Sequence, residues 1–126
     1  MKVSEITEIL NKWMPISIAE DFDNVGLLIG SPNSLVKNIL VTLDTTSNVI
    51  DEAIDNNCNL IISYHPIIFN DLKKVTLDSG YVQKSVIKAV KNNISVYAIH
   101  TSLDNHAKGI SYFLSKKIGL KNTSLL

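Results

Sequence analysis

Short apolar runs alternate with helical stripes through most of this 126-residue chain, and no other feature constrains its fold as strongly. Strand-like runs at 38–43, 59–63 and 94–99 are each followed by apolar residues at helical spacing. Strands joined in this way pair in parallel through right-handed crossovers. The pattern therefore predicts an α/β protein whose mostly parallel sheet is covered by helices on both faces.

Two more elements are expected before this alternation begins. Apolar residues at helical spacing predict a helix over 3–13, which Pro15 ends. A short apolar strand at 25–29 is closed by the turn-forming residues of 30–33. Between them we expect an irregular polar segment, in which residues 23–26 form either a turn, which we favour, or a loop that lines a pocket.

Charge and cysteine content narrow the classes of function. Lys plus Arg and Asp plus Glu number 12 each, so no basic excess favours nucleic-acid binding. The apolar runs are too short to span a membrane, and no signal peptide is recognisable. Cys58 is the only cysteine, so an intrachain disulfide is excluded, and we expect a buried structural thiol. These observations predict a soluble, single-domain, cytoplasmic protein.

Polar segments follow the three strands of the alternating region. They begin at Asp44, at Tyr64-His65-Pro66, and at His100, which leads to Asp104. The carboxyl ends of parallel strands share one edge of the sheet, where ligands commonly bind. We therefore expect His65, His100 and Asp104 to lie close together.

An imidazole beside a carboxylate suits zinc, iron(II) or manganese(II). His65 and Asp104 are the primary candidate ligands, and His100 is either a third ligand or a group that orients Asp104. Tyr64 could donate a hydrogen bond to a bound water or substrate. The alternative is a polar edge without metal, where the histidines cap strands or helices and Asp104 is the N-cap of the next helix.

Other motifs carry less information. The segment 44–47, Asp-Thr-Thr-Ser, either lines a pocket or caps the following helix. His106 is expected to be a solvated loop residue. The chain contains neither a phosphate-binding GxxxxGK[ST] or GxGxxG motif nor the GxSxG of serine hydrolases.

Several motifs, in order, resemble one known family, the NIF-three-like proteins, also called GTP cyclohydrolase 1 type 2 homologues. Residues 19–30, AEDFDNVGLLIG, resemble the family's A-E-x-W-D-N-V-G-L-x-x-G. Residues 63–69, SYHPIIF, resemble its S-H-H-P-x-I-F signature, and 100–104, HTSLD, resemble H-T-x-x-D. The tyrosine variant S-Y-H-P is similar to that of eukaryotic members.

The resemblance implies a three-layer α/β/α fold, ring-shaped homo-oligomers and a dinuclear metal centre. Matched position by position, His65 corresponds to the second histidine of S-H-H-P and Asp104 to the aspartate of H-T-x-x-D. Tyr64 takes the place of the first histidine, and at neutral pH a phenol is a poorer ligand than an imidazole. The family's remaining ligands, a distal His and Glu, have no counterpart, so we expect residues 1–126 to be one truncated NIF-three-like domain.

Two functions are compatible with this resemblance. The first is that of a metal-dependent hydrolase of unknown substrate, whose activity would be impaired in a truncated chain. The second is that of a non-catalytic regulatory or transcription-related scaffold that binds a protein partner. Metal that is lost on substitution of His65 or Asp104 would favour the first, and metal-independent partner binding would favour the second.

Overall fold

The computed structural model describes residues 1–124 and arranges them as a four-stranded sheet between two helical layers. The α-helices are α1 (Val3–Trp13), α2 (Ser47–Asp55), α3 (Tyr81–Lys91), α4 (His100–Asp104) and α5 (Ile110–Lys117), with a 3₁₀ turn at Ile16–Ile18. The strands are β1 (Gly26–Ile29), β2 (Asn38–Thr42), β3 (Cys58–Ser63) and β4 (Ser95–Ala98).

The sheet has the order β1-β4-β3-β2. The three strands of the alternating region pair in parallel, which confirms the predicted mostly parallel α/β sheet. Strand β1 is antiparallel to β4, with Gly26 opposite Ala98. Its amino end therefore lies at the same sheet edge as the carboxyl ends of the other three strands.

Two apolar clusters hold the three layers together, one on each face of the sheet. On one face Ile50 of α2 and Ala89 of α3 pack, fully buried, against Ile61 and Val96. On the other face Val3 of α1 packs against Leu60 and Tyr97. Neighbouring strand residues alternate between the two clusters, as side chains of a pleated strand must.

Similar junctions lead from the two covering helices into the strands that follow. Helix α2 ends at Asn56 and helix α3 at Asn92, and the next residues, Asn57 and Asn93, both have φ of 55°. This left-handed conformation ends a helix. Glycine adopts it most readily, and asparagine is the next most favourable residue.

One short helix was not predicted, and one of the two alternatives for Asp104 is wrong. The short helix α4 over His100–Asp104 was not predicted, and Asp104 ends this helix instead of capping the next one. Gly109 is the N-cap residue of α5. A Cβ there would lie 1.8 Å from the carbonyl oxygen of Leu103, so only glycine fits the close approach of the two helices.

Candidate functional site

Residues that follow β2, β3 and β4 lie side by side, because the strand ladder continues past the strand ends. The amide of His65 donates to the carbonyl of Leu43 (2.9 Å), and the amide of His100 donates to the carbonyl of Tyr64 (2.9 Å). The side chains therefore leave one edge of the sheet together. The ring centres of His65 and His100 are 5.5 Å apart, and that of Tyr64 lies 4.7 Å and 5.3 Å from them, respectively.

His65 is held by the carboxylate of Asp44. Its Nδ1 lies 2.8 Å from Asp44 Oδ1, and both side chains are about half exposed. Both alternatives for segment 44–47 are found, each at a different residue. Asp44 contacts His65 at the candidate site, and Thr46 caps α2. The Thr46 hydroxyl accepts a hydrogen bond from the amide of Val49.

His100 is held in the same way by Asp23. Its Nδ1 is 2.9 Å from both carboxylate oxygens, and the Asp23 side chain is fully buried. The same carboxylate accepts hydrogen bonds from the amides of Asn24 and Thr101 and from the Thr101 hydroxyl. Burial acts to raise the pKa of Asp23, but the hydrogen bonds from Thr101, His100 and Asn24 outweigh it, and the net pKa is lowered.

These two contacts define which ring nitrogens remain available. A carboxylate can only accept hydrogen bonds, so in each pair Nδ1 must carry the hydrogen. In a neutral imidazole the lone pair then lies on Nε2, the nitrogen that can bind a metal. Metal-binding histidines commonly have this carboxylate support. His65 and His100 are thus both oriented as ligands are, by Asp44 and Asp23 respectively.

Asp104 joins the site through Tyr64. The Tyr64 hydroxyl lies 2.9 Å from each carboxylate oxygen of Asp104 and donates to it. Burial, this hydrogen bond and the charges of Asp104 and Asp23 raise the pKa of Tyr64 to about 12. The phenol therefore stays protonated at neutral pH and acts as a hydrogen-bond donor to the predicted ligand Asp104.

Within residues 1–124, no three His, Cys, Asp or Glu side chains group closely enough to hold one metal ion. Cys58 is buried at the amino end of β3, away from this edge, as the sequence predicted. His106 lies in the loop between α4 and α5, where its Nδ1 accepts a hydrogen bond from the amide of Lys108.

Asp23 was expected in a turn, with a pocket loop as the alternative, and its contact with His100 was not predicted. Its position follows from the antiparallel pairing of β1, which places the residues before Gly26 beside those after Ala98. The neighbouring Asn24 fixes this segment, because its side-chain amide donates to the carbonyl of Ile68 (2.6 Å). The only sequence signal for this role was the position of Asp23, a carboxylate that lies shortly before the apolar strand β1.

The fold and the polar sheet edge define an α/β protein with a site at the carboxyl ends of its parallel strands. The sequence model of the family described as Duf34/NIF3 (NGG1p interacting factor 3) matches residues 1–126. This chain belongs to that family, as the resemblance predicted.

Similar proteins agree with this assignment. A GTP cyclohydrolase 1 type 2 homolog of Clostridium acetobutylicum is 44% identical over 126 residues, which are 100% of this chain and 47% of the relative. One from Staphylococcus epidermidis is 46% identical over 127 residues, with 100% and 34% covered. The crystal structure of a Bacillus cereus protein related to NIF3 superposes with a TM-score of 0.93 at 38% identity, over 99% of this chain and 34% of the other. The chain thus spans between a third and a half of these proteins.

No helix among residues 1–124 combines the length and apolar character that a membrane crossing requires.

Proposed function

We propose that this chain supplies part of a divalent-metal site in a metal-dependent hydrolase of the Duf34/NIF3 family. His65 and Asp104 are its ligands, and His100 is a further candidate ligand, whereas Tyr64 and not His100 orients Asp104. The observation that carries the proposal is the pair of histidines whose Nδ1 atoms are held by carboxylates while Nε2 stays available. With metal–nitrogen bonds of about 2 Å, two imidazoles on one ion have ring centres roughly 5 Å apart. The separation of 5.5 Å is compatible with this value.

The donor set fits a metal in kind but is incomplete in number. Imidazole with carboxylate suits zinc, iron or manganese, whereas a stable zinc site needs three or four protein ligands. Residues 1–124 contain no group of three such ligands. The proposal therefore requires further ligands from outside residues 1–124. The relatives are longer than this chain, which leaves room for such ligands.

A bound divalent ion would lower the pKa of a water molecule and polarise an electrophilic carbon or phosphorus. The residues of this chain would prepare the site for that chemistry. Asp44 and Asp23 fix the tautomers of His65 and His100, and Tyr64 fixes the carboxylate of Asp104. The protonated phenol of Tyr64 is also a hydrogen-bond donor beside the proposed reaction centre.

Metal content tests this function. The chain is equilibrated by dialysis against a series of zinc, iron(II) or manganese(II) concentrations, and the metal bound in excess of the dialysate is measured by mass spectrometry, so that weak binding by an incomplete ligand set is also detected. We expect His65→Ala and Asp104→Ala to lose bound metal, whereas His106→Ala, which removes a loop histidine, keeps it. Equal metal content in all four proteins would refute the assignment.

A second candidate is a non-catalytic scaffold that binds a protein partner or further copies of itself. The observation that favours it is the row of apolar side chains on the edge strand β2 and just after it. Val41 is 77% exposed and Leu43 59% exposed, with Ile39 on the same face. Self-association measured by sedimentation should then be lost in Val41→Lys and retained in His65→Ala. A cytoplasmic location belongs to both candidates, because Cys58 is a free thiol.

A further inference from the structure

Two adjoining pockets, of about 280 Å³ and about 350 Å³, lie at the sheet edge beside the proposed metal site. Pro66, Ile67 and Tyr81 line both pockets, so the two form one groove with these residues at its middle. His65 and its partner Asp44 line one end of the groove. A molecule that occupies the groove would therefore reach a proposed metal ligand.

The groove is lined by exposed aromatic side chains. Tyr81, the first residue of α3, is 71% exposed and borders both pockets. Phe69 borders the second pocket and is 47% exposed, and its ring centre lies 6.5 Å from that of His100. Single exposed apolar residues are common on protein surfaces, whereas ligand pockets gather aromatic and apolar side chains beside a few polar groups. Phe69 thus connects an aromatic groove to the second histidine of the site.

The charges of the groove select among ligands. Asp44 lines only the first pocket, and the exposed Asp71 lines only the second. Among residues 1–124 no lysine lines either pocket, and the chain contains no arginine. The amino ends of α2 and α3 also lie here and favour negative charge, which these two carboxylates already supply. The groove therefore disfavours an anionic ligand.

From these observations we infer that the groove binds an aromatic group of the substrate that is neutral or positively charged. Its ring would stack on Tyr81, because aromatic faces attract both other rings and cations. Asn70 and Gln83 also line the groove, and their amide groups could orient a ring that carries polar atoms. The inference deepens the proposed function and rests on it in one respect: the aromatic group is taken to belong to the substrate of the metal site.

The test uses three indole compounds that share a ring and differ in charge: neutral indole, positively charged tryptamine and negatively charged indoleacetate. Each is titrated into the ¹⁵N-labelled chain at neutral pH with chelator present, and amide shifts are followed by NMR. Saturable shifts are expected in residues 69–72 and 81–83. Indole and tryptamine should bind more tightly than indoleacetate, because the carboxylates of the groove repel an anion.

Replacing Tyr81 tests the aromatic part of the inference. Tyr81→Ala removes the ring and should weaken indole binding about tenfold, whereas Tyr81→Phe keeps the ring and should change it by less than about twofold. Phe113→Ala is the matched control, because Phe113 is an aromatic residue of α5 that is 57% exposed and lines neither pocket. Its indole affinity should equal that of the unmodified chain.

Replacing Asp71 tests the charge part. Asp71→Asn should weaken tryptamine binding and strengthen indoleacetate binding, each by about threefold, because one exposed charge contributes little. Asp21→Asn, which removes an exposed carboxylate outside the groove, should change neither affinity.

Three results would overturn the inference. They are shifts confined to other surfaces, equal indole affinity in Tyr81→Ala, and binding of indoleacetate as tight as that of tryptamine. If Tyr81→Ala does not fold, the mapping on the unmodified chain and the order of the three affinities decide the question.

The two proposals can fail separately, because one is measured by metal content and the other by ring binding in chelator. If metal binds through His65 and no indole compound shifts the groove, the aromatic site is wrong and the metal site stands. If indole binds at Tyr81 and no metal is bound at any concentration, the aromatic site stands and the metal proposal fails.

Discussion

Replacing Asp23 by asparagine tests the central claim that a buried carboxylate organises the site. The Oδ1 atom of Asp23 accepts from the amide of Asn24, and Oδ2 accepts from the amide of Thr101. Asparagine has one acceptor oxygen and one amino group, so either orientation of its amide places a donor against one of these backbone donors. His100 also loses its charged partner.

The expected loss follows from these contacts. One buried backbone donor without a partner costs about 1–3 kcal/mol, and loss of the charge-assisted bond to His100 adds a similar amount. We expect the free energy of unfolding of Asp23→Asn to fall by about 2–6 kcal/mol in urea titrations at neutral pH. Asp21→Asn, an exposed change two residues away, should alter it by less than about 0.5 kcal/mol.

The pH dependence gives a second measurement on the same pair of proteins. The folded-state pKa of Asp23 is lowered from its ordinary value of 3.8, so the carboxylate contributes stability above that value. The contribution is lost as the pH falls below it, through the folded-state pKa. The difference between the unmodified chain and Asp23→Asn should therefore shrink on acidification from about pH 5 to about pH 2. A difference below about 1 kcal/mol at neutral pH, or one that grows in acid, would refute the reasoning.

Tyr64→Phe removes the hydroxyl that holds Asp104 and should lower the free energy of unfolding by about 1 kcal/mol in urea titrations. An unchanged free energy of unfolding would contradict the hydrogen bond. Gly30→Ala should cost more than about 2 kcal/mol, because φ is +101° and a Cβ would lie 2.7 Å from the Cα of Ser95. Gly119→Ala is its control: φ is +81°, but no atom of residues 1–124 lies within 4 Å of a Cβ there. Its cost on thermal unfolding should therefore be about 1 kcal/mol. Leu60→Ala, at a fully buried position, should cost about 2–5 kcal/mol in the same assay.

The parallel part of the fold was predictable because its strands and helices carry strong, distinct periodicities. The strand-like run at 59–63 lies within one residue of β3, and helices α2 and α3 follow β2 and β3 as the alternation predicted. The antiparallel direction of β1 was not predictable in this way, because the run 25–29 reads the same in either direction. Helix α4 was missed because five residues are too few for a periodic signal.

The site was predictable to the extent that topology alone places its residues. The approach of Tyr64, His65 and His100 follows from parallel strands ending at one edge, and the structure shows it. The roles of Asp23 and Asp44 depend on contacts over 77 and 21 residues of sequence, which local patterns do not encode. Both aspartates also fit turns and helix caps, so composition could not separate the alternatives.

The carboxylate pairs also explain how part of the proposed metal site can be ordered in the metal-free chain. Asp23 is fully buried and bonded to the backbone on both oxygens, so the orientation of His100 is set by the fold itself. Asp44 is about half exposed, and within residues 1–124 its carboxylate bonds only to His65, so its hold on the ring is weaker and screened by solvent. It follows that His100 should keep one ring orientation in the metal-free chain, whereas His65 should become ordered when metal binds. Side-chain relaxation of the two imidazoles, measured by NMR with and without zinc, distinguishes them, and equal mobility in the metal-free chain would contradict this difference in support.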